Sequence, residues 1–181
     1  PVAGGVSLGS MTTGWLVGRT GRTAIFPSVG LAVVAINLIA LAVWASRLDL
    51  IPLAALLTIT AVFMGTTMGV VQVTVQTATG PAMLGTGAAS VQFCRSLGAA
   101  LGTAIVGAVL FSSLALADPD AAHQFGRIVQ SGPEILSSLP EARQVAIAAE
   151  IANAFRAAFF TMATIATIAM GLAWSLPIRR I

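Results

Sequence analysis

One arginine stands in the middle of a long apolar stretch. Within Gly85–Leu116, Arg95 is the only charged residue, and Gln92 lies three positions before it, which is the spacing of neighbours on one face of a helix. A guanidinium is permanently charged and carries five N–H donors, so it can bind an anion or the carbonyl groups at a helix end. Three roles for Arg95 are open: reaching lipid headgroups, a structural contact inside a helix bundle, and direct contact with substrate or protons.

The depth of Arg95 depends on which part of this stretch crosses a membrane. Counted from Gly85, Arg95 is about 15 Å along a helix that rises about 1.5 Å per residue. That is mid-bilayer, where an arginine costs at least about 2.5–3.5 kcal/mol. However, Leu97–Leu116 alone supplies the roughly 20 residues that a membrane helix needs. If only this part crosses, Arg95 lies at the membrane boundary and its side chain can extend to the headgroups.

Two glutamines in the preceding apolar stretch share a predicted helix face with two glycines. Gly65, Gly69, Gln72 and Gln76 follow one another at intervals of four, three and four. Amide side chains in lipid need hydrogen-bond partners, so we expect both glutamines to contact a neighbouring helix or to line a wet cavity. The predicted inward-facing polar side chains are Gln72, Gln76, Gln92 and Arg95.

Small residues recur at intervals of four in three of the apolar stretches. Such pairs let the backbones of two membrane helices approach closely. We interpret them as helix-packing positions, and a sliding contact between moving bundles is the alternative. The sets are Ser10/Gly14/Gly18, Gly65/Gly69 and Gly98/Gly102.

The overall composition excludes several classes of protein. Of the 181 residues, 57% are hydrophobic and 8% are charged, whereas soluble domains carry about 25% charged residues. All basic residues are arginines spread along the chain, and the absence of a basic patch argues against nucleic-acid binding. One cysteine and one histidine predict neither an internal disulfide nor a metal site. No catalytic constellation or P-loop is visible, so we expect neither an enzyme nor a cofactor.

Five apolar stretches predict an all-α integral membrane protein. Residues 1–116 would hold four spans, 117–153 an external loop, and 154–181 the last span with a short cytoplasmic tail. Helix formers after Pro140 predict one helix that runs into that last span. Because an apolar run begins at Pro1, we expect a piece of a longer protein, cut inside or just before a membrane helix. The predicted spans are Pro1–Val17, Ala24–Ala45, Leu50–Val75, Gly87–Leu116 and Phe155–Leu176.

The positions of the arginines predict the orientation. One side holds the compact pairs Arg19/Arg22 and Arg179/Arg180 close to span ends. The other side holds four scattered arginines and all six acids. The compact pairs favour the first side as cytoplasmic, which places residues 117–153 outside and the C-terminus inside the cell.

Two motifs resemble those of the major facilitator superfamily. "GWLVGRTGRT" (14–23) is similar to its cytoplasmic loop signature at Gly14, Arg19, Gly21 and Arg22, whereas Gly18 stands where the family's first half has aspartate. Residues 63–110 resemble the twelfth and thirteenth spans of the fourteen-span drug:proton antiporters of the EmrB/QacA type. The whole chain resembles spans ten to fourteen, the C-terminal part. The matching positions in residues 63–110 are Gly85, Gly87, Gln92, Phe93, Arg95, Gly98 and Gly102.

This resemblance implies a multi-pass exporter of the inner (plasma) membrane that works by alternating access of two helical bundles. It implies a small amphipathic or hydrophobic substrate, protons, the lipid bilayer and a missing N-terminal bundle as partners. The five predicted spans contain no Asp, Glu, Lys or His, so proton coupling would depend on other segments. Two alternatives are open: a carrier of another substrate, such as a metabolite or siderophore, and a membrane structural subunit that does not transport.

Overall fold

The computed structural model describes residues 2–20, 25–132 and 140–175, and the regular elements there are all helical. The predicted all-α fold class is therefore confirmed. Short 3-10 turns connect α2 to α3 at Ala45–Arg47 and α3 to α4 at Pro81–Met83. The helices are α1 (Val2–Thr20), α2 (Ile25–Trp44), α3 (Leu50–Thr79), α4 (Leu84–Ala117), α5 (Pro119–Ser131) and α6 (Glu141–Ser175).

Four segments of the described chain are long and apolar enough to cross a membrane: 27–47, 50–79, 81–117 and 141–175. The predicted first span, Pro1–Val17, is not among these four, and it stays a prediction. The reason is that glycine, serine and threonine make up about half of α1. These residues contribute little hydrophobicity, and they serve a packing role instead.

Glycines bring α1 and α3 into backbone contact. A Cβ atom built at Gly65 would lie 2.9 Å from the Cα of Val6, and one at Gly69 would lie 2.9 Å from the carbonyl oxygen of Ser10. On the other helix, Gly5 faces Thr58. Since the contacts advance together along both helices, α1 runs parallel to α3. The first helix therefore lies along a spanning helix although its own composition is mixed.

The buried core lies where α2 packs against α6 and α3. Leu41 is fully buried, and the alanines of α6 let the two backbones approach. Lipid gives no hydrophobic drive for helix association, so close van der Waals packing of this kind must hold the helices together. The buried residues of this cluster are Val34, Ala35, Leu38, Leu41, Ala163 and Ala166.

The segment 117–153, predicted as an external loop, is largely helical where the structure describes it. It contains α5, which the prediction did not include, and the first turns of α6. The expectation of one helix from Pro140 into the last span is confirmed by α6. We term the end of the bundle that carries α5 the loop end. The opposite end, where α3 stops at Gly80 (φ 69°) before Pro81, is the turn end.

Aromatic rings and an ion pair hold α5 against the bundle. The ring of Phe125 packs edge-to-face on Phe111 of α4 at 5.7 Å and on Phe155 of α6 at 6.2 Å between centroids. Arg143 of α6 forms a 2.9 Å ion pair with Asp118, the residue that caps α5. The helix α5 is thus held against the spanning helices by aromatic contacts and by an ion pair.

The cap of α5 is an ionised carboxylate. Partial burial raises the pKa of Asp118, but this effect is outweighed by hydrogen bonds from the backbone N–H groups of Ala121 and Asp120. The positive charge of Arg143 adds to them. Together these groups hold the pKa of Asp118 below its ordinary value, because each favours the charged form.

Candidate functional site: the seam between α3 and α4

Two contacts determine how α3 and α4 face each other. Near the turn end, a Cβ built at Gly87 would lie 2.9 Å from the side chain of Thr79 and 3.3 Å from that of Val75, so the glycine permits close approach. Eight residues further along α4, Nη2 of Arg95 donates a hydrogen bond of 3.0 Å to the sulfur of Met68. The two helices are therefore antiparallel, and Arg95 lies at the point where they meet.

The face of α3 that looks toward α4 follows from these contacts. Met68, Gln72, Val75 and Thr79 are spaced by four, three and four, so they share one side of the helix. Gln72 lies between the two contact points and is half-buried, whereas Gln76 is exposed. We term this group the α3–α4 seam. Its members are Met68, Gln72, Val75 and Thr79 of α3 with Gly87, Val91 and Arg95 of α4.

The predicted glycine–glutamine stripe of α3 divides between two neighbours. Gly65 and Gly69 contact α1. The spacing of Gln72 from Met68 and Val75 places it on the side of α3 that contacts α4. A stripe with spacing three and four is wide enough to touch a different helix at each edge. The sequence predicts all four residues on one helix face, with the glycines as packing positions and the glutamines as inward-facing polar groups. In the structure the glycines contact α1, and Gln72 lies on the side of α3 that meets α4.

The guanidinium of Arg95 has little to bind within the described chain. A thioether sulfur is a weak hydrogen-bond acceptor. Among residues 2–20, 25–132 and 140–175, the arginine that pairs with carboxylates is Arg143. Arg95 itself is exposed and has no carboxylate within 4 Å in that part of the chain. It can therefore accept an anion, or a carboxylate from another segment, without breaking an ion pair.

The contact with Met68 also gives the depth of Arg95. Measured along α3 from its N-cap Asp49, Met68 is about 28 Å away, and measured along α4 from Ala117, Arg95 is about 33 Å away. The hydrocarbon core is about 30 Å thick. If the hydrocarbon begins at Asp49 and at Ala117, both helices place the pair close to the membrane boundary at the turn end, rather than at the middle of the bilayer. At that level, the side chain of Arg95 can contact a neighbouring helix and can also reach the lipid headgroups.

Over residues 92–101, about three helical turns, α4 is exposed on every side, and we term this stretch its uncovered face. Every residue from 92 to 101 is exposed, including the predicted Gln92 and the large Phe93 at 68%. Around Gly98 and Gly102, a Cβ would meet nothing within 4 Å among the residues that the structure describes. These two glycines therefore have no packing partner in the described chain, unlike Gly65 and Gly69. The seam opens onto this uncovered face.

Only part of the predicted loop signature lies among the described residues. Gly14 and Arg19 lie in α1, whereas Gly21 and Arg22 lie outside the described residues. The signature and the polar candidates of the seam stay predictions as far as transport is concerned. No cluster of three potential metal ligands occurs in the described ranges.

The chain is similar to two transporters. They are the uncharacterized MFS-type transporters MT1926 and Rv1877 of Mycobacterium tuberculosis, from strains CDC 1551 / Oshkosh and ATCC 25618 / H37Rv. Each is 27% identical over 182 residues, which cover 96% of this chain and 26% of the relative. The chain thus spans about a quarter of the length of the curated relatives it matches. No protein-family model matches the chain, and no solved structure matches it.

The similarity is to proteins named as MFS-type transporters. It extends along nearly the whole chain, so it includes both the α1–α3 contact and the seam. Four described helices are long and apolar enough to span a membrane. This finding and the similarity to MFS-type transporters both support a multi-pass membrane protein.

The sequence reading missed Met68, the partner of Arg95. A signal was present, because Met68 precedes Gln72 by one helical turn and methionine is a polarisable side chain that adapts to its neighbours. A thioether is a weaker polar signal than an amide or a charged group, so Met68 does not stand out in the sequence. The register between α3 and α4 is needed to pair residues 27 positions apart, and helical spacing alone does not supply it.

Proposed function

We propose that the chain is the C-terminal part of a proton-coupled multidrug efflux transporter of the fourteen-span drug:proton antiporter branch. The observation that carries this proposal is Arg95, an arginine exposed at the seam of two spanning helices. Among the described residues its hydrogen-bond partner is the thioether of Met68. A charged group in such a position is expensive in lipid and marks functional pathways in membrane proteins. The similarity to MFS-type transporters agrees with this role.

The uncovered face of α4 would complete the transport pathway in the full protein. In transporters built from repeats, substrate sites lie at the interface between two bundles. The missing N-terminal bundle would lie against this face, where Phe93 offers an apolar surface and Gln92 and Arg95 offer polar groups. Such a mixed lining suits a small amphipathic or hydrophobic substrate. Acids of the other bundle would carry the protons and pair with Arg95 in one state of the cycle.

The proposed orientation follows from the charges at the two ends. The loop end carries Asp118, Asp120 and Glu141 and would face outside, while the signature between α1 and α2 would face the cytoplasm. The C-terminus would then be cytoplasmic and the protein would reside in the inner membrane. Arg95, near the turn end, would close or open the cytoplasmic side of the pathway.

A second candidate is a carrier of an anionic metabolite in the same superfamily. The observation that favours it is again the unpaired guanidinium, because arginine binds carboxylate and phosphate groups in a bidentate manner. The two candidates differ in the charge of the substrate that depends on Arg95.

The test uses the natural polypeptide that contains this chain, expressed in cells that lack their own drug exporters. Arg95→Gln removes the charge but retains hydrogen-bonding capacity, and Arg127→Gln, at an exposed position of α5, is the matched control. Hydrogen bonds to charged groups contribute about 1.5–3 kcal/mol, so we expect energised efflux of a lipophilic cation such as ethidium to fall about tenfold or more for Arg95→Gln. The control should retain it at equal membrane abundance.

Three results would separate the candidates. Loss of ethidium efflux in Arg95→Gln alone supports the antiporter. Normal ethidium efflux with loss of uptake or export of an organic acid supports the anionic carrier. If Arg95→Gln and Arg127→Gln transport every tested substrate equally well, the seam has no role in transport and the proposal is wrong.

A further inference from the structure

A cavity of about 530 Å³ lies at the loop end between α2, α3 and α6. Its α3 residues, Leu53 and Leu57, come 15 and 11 positions before Met68, the partner of Arg95. Its wall is mostly apolar, and its rim carries two arginines, one on the turn after α2 and one on α6. The wall is formed by Leu41, Leu53, Leu57 and Phe159, and the rim by Arg47 and Arg156.

The rim of this cavity is positively charged and uncompensated. None of the residues that line it is acidic. Within the described ranges, neither Arg47 nor Arg156 has a carboxylate within 4 Å. Arg156 lies with its guanidinium carbon 5.9 Å from the centre of the Phe160 ring, a cation–π contact that orients the group without neutralising it. Asn153, one turn before Arg156, adds an amide to the same wall of the cavity.

The cavity lies at the level of a membrane interface. It is next to Trp44, which is 55% exposed at the last residue of α2, and exposed tryptophans concentrate at the headgroup level. Asp49, the N-cap of α3, lies just beyond. The arginines therefore lie where lipid phosphates are found, and the leucines of the wall lie toward the hydrocarbon.

We propose that this cavity binds an anionic phospholipid of the membrane. The phosphate and the anionic headgroup would contact Arg47 and Arg156, and the start of an acyl chain would pack along Leu53, Leu57 and Phe159. The apolar wall distinguishes this ligand from a soluble phosphate, which would leave that wall in contact with water. The site is on the far side of α3 from α1 and does not include the seam, so it goes beyond the proposed transport pathway.

The test measures lipid contact through the fluorescence of Trp44. The natural polypeptide is placed in nanodiscs that contain brominated phosphatidylglycerol or brominated phosphatidylcholine at equal mole fraction, since bromine quenches a neighbouring indole. Subtracting the Trp44→Phe variant isolates the contribution of Trp44. We expect brominated phosphatidylglycerol to quench it at a several-fold lower mole fraction than brominated phosphatidylcholine.

Charge variants connect this preference to the rim. A basic residue near an anionic surface accounts for roughly a fivefold change in affinity, so Arg47→Gln/Arg156→Gln should abolish the preference for phosphatidylglycerol. The charge-conserving Arg47→Lys/Arg156→Lys should retain most of it, which excludes misfolding as the cause. Arg127→Gln, an exposed arginine of α5 away from the cavity, should leave the preference unchanged.

Three outcomes would overturn the proposal. Equal quenching of the wild type by both lipids would show that the cavity does not select anionic headgroups. A preference that survives Arg47→Gln/Arg156→Gln would place its origin elsewhere. Relief of quenching by millimolar inorganic phosphate would show a site for free phosphate rather than for a lipid.

Discussion

Replacing Gly65 by alanine tests the contact between α1 and α3 most sharply. The new Cβ would lie 2.9 Å from both the Cα and the carbonyl carbon of Val6, and closer still to its oxygen. Carbon atoms pack at about 3.5–4.0 Å, so α1 would have to move away by roughly 0.6 Å or more. A gap of that size removes about a quarter to a half of the dispersion attraction at each affected contact.

The net effect can be worked out from two opposing terms. Overpacking typically costs about 1–3 kcal/mol, while alanine in a helix interior gains up to about 1 kcal/mol over glycine. Gly171→Ala, in α6, is the matched control because nothing described lies within 4 Å of its new Cβ. It receives the helix gain without the clash, so Gly65→Ala should be about 1–3 kcal/mol less stable than Gly171→Ala.

The assay is reversible unfolding by SDS titration in mixed micelles, followed by circular dichroism at the helix band. Both variants are compared with the wild-type polypeptide under identical lipid and detergent conditions. Equal stability of Gly65→Ala and Gly171→Ala would refute the close backbone contact between the two helices. Greater stability of Gly65→Ala than of the wild type would refute it as well.

Three further predictions concern the docking of α5. Phe125→Ala removes two edge-to-face ring contacts, worth about 0.5–1.5 kcal/mol each, so amide hydrogen exchange of α5 should become faster, and unchanged exchange would contradict the aromatic contact. Arg143→Gln should accelerate that exchange only slightly, because exposed ion pairs contribute little, and an effect as large as that of Phe125→Ala would contradict this ranking. The pKa of Asp118 is lowered in the folded protein, so its contribution to docking is present above its unfolded pKa of about 3.9 and is lost as the pH falls through the lower folded value. Spin-label distances between α5 and α6 should therefore broaden below about pH 4 and stay constant between pH 5 and 8, and broadening in the latter range would contradict the assignment.

The long apolar helices could be predicted from the sequence because each is a run with few charges. The predicted spans begin and end within a few residues of the ends of α2, α3 and α4. The helices α3 and α4 extend slightly beyond the predicted spans. The continuous helix α6 followed from helix formers after Pro140. These features depend on local composition and spacing, which a sequence displays directly.

Features that depend on tertiary contact could not be predicted in the same way. The helix α5 contains a glycine and polar residues, and it is stabilised by Phe125 against rings of α4 and α6 that are distant in sequence. Gly65 and Gly98 each have a glycine four positions later, yet only Gly65 meets a neighbouring helix in the described chain. The pairing of Arg95 with Met68 needs the register of two helices. In each case the contact depends on which helix lies opposite the residue, and the sequence does not display this directly.

The most direct test of the central claim is proton-coupled efflux by the natural polypeptide in proteoliposomes with an imposed pH gradient. Substrate movement is followed with ethidium and proton movement with an internal pH dye. An antiporter predicts that ethidium and protons move in opposite directions, each dependent on the other, and that Arg95→Gln reduces both. Ethidium movement without any linked proton flux, or no substrate-dependent flux at all, would contradict the proposed function.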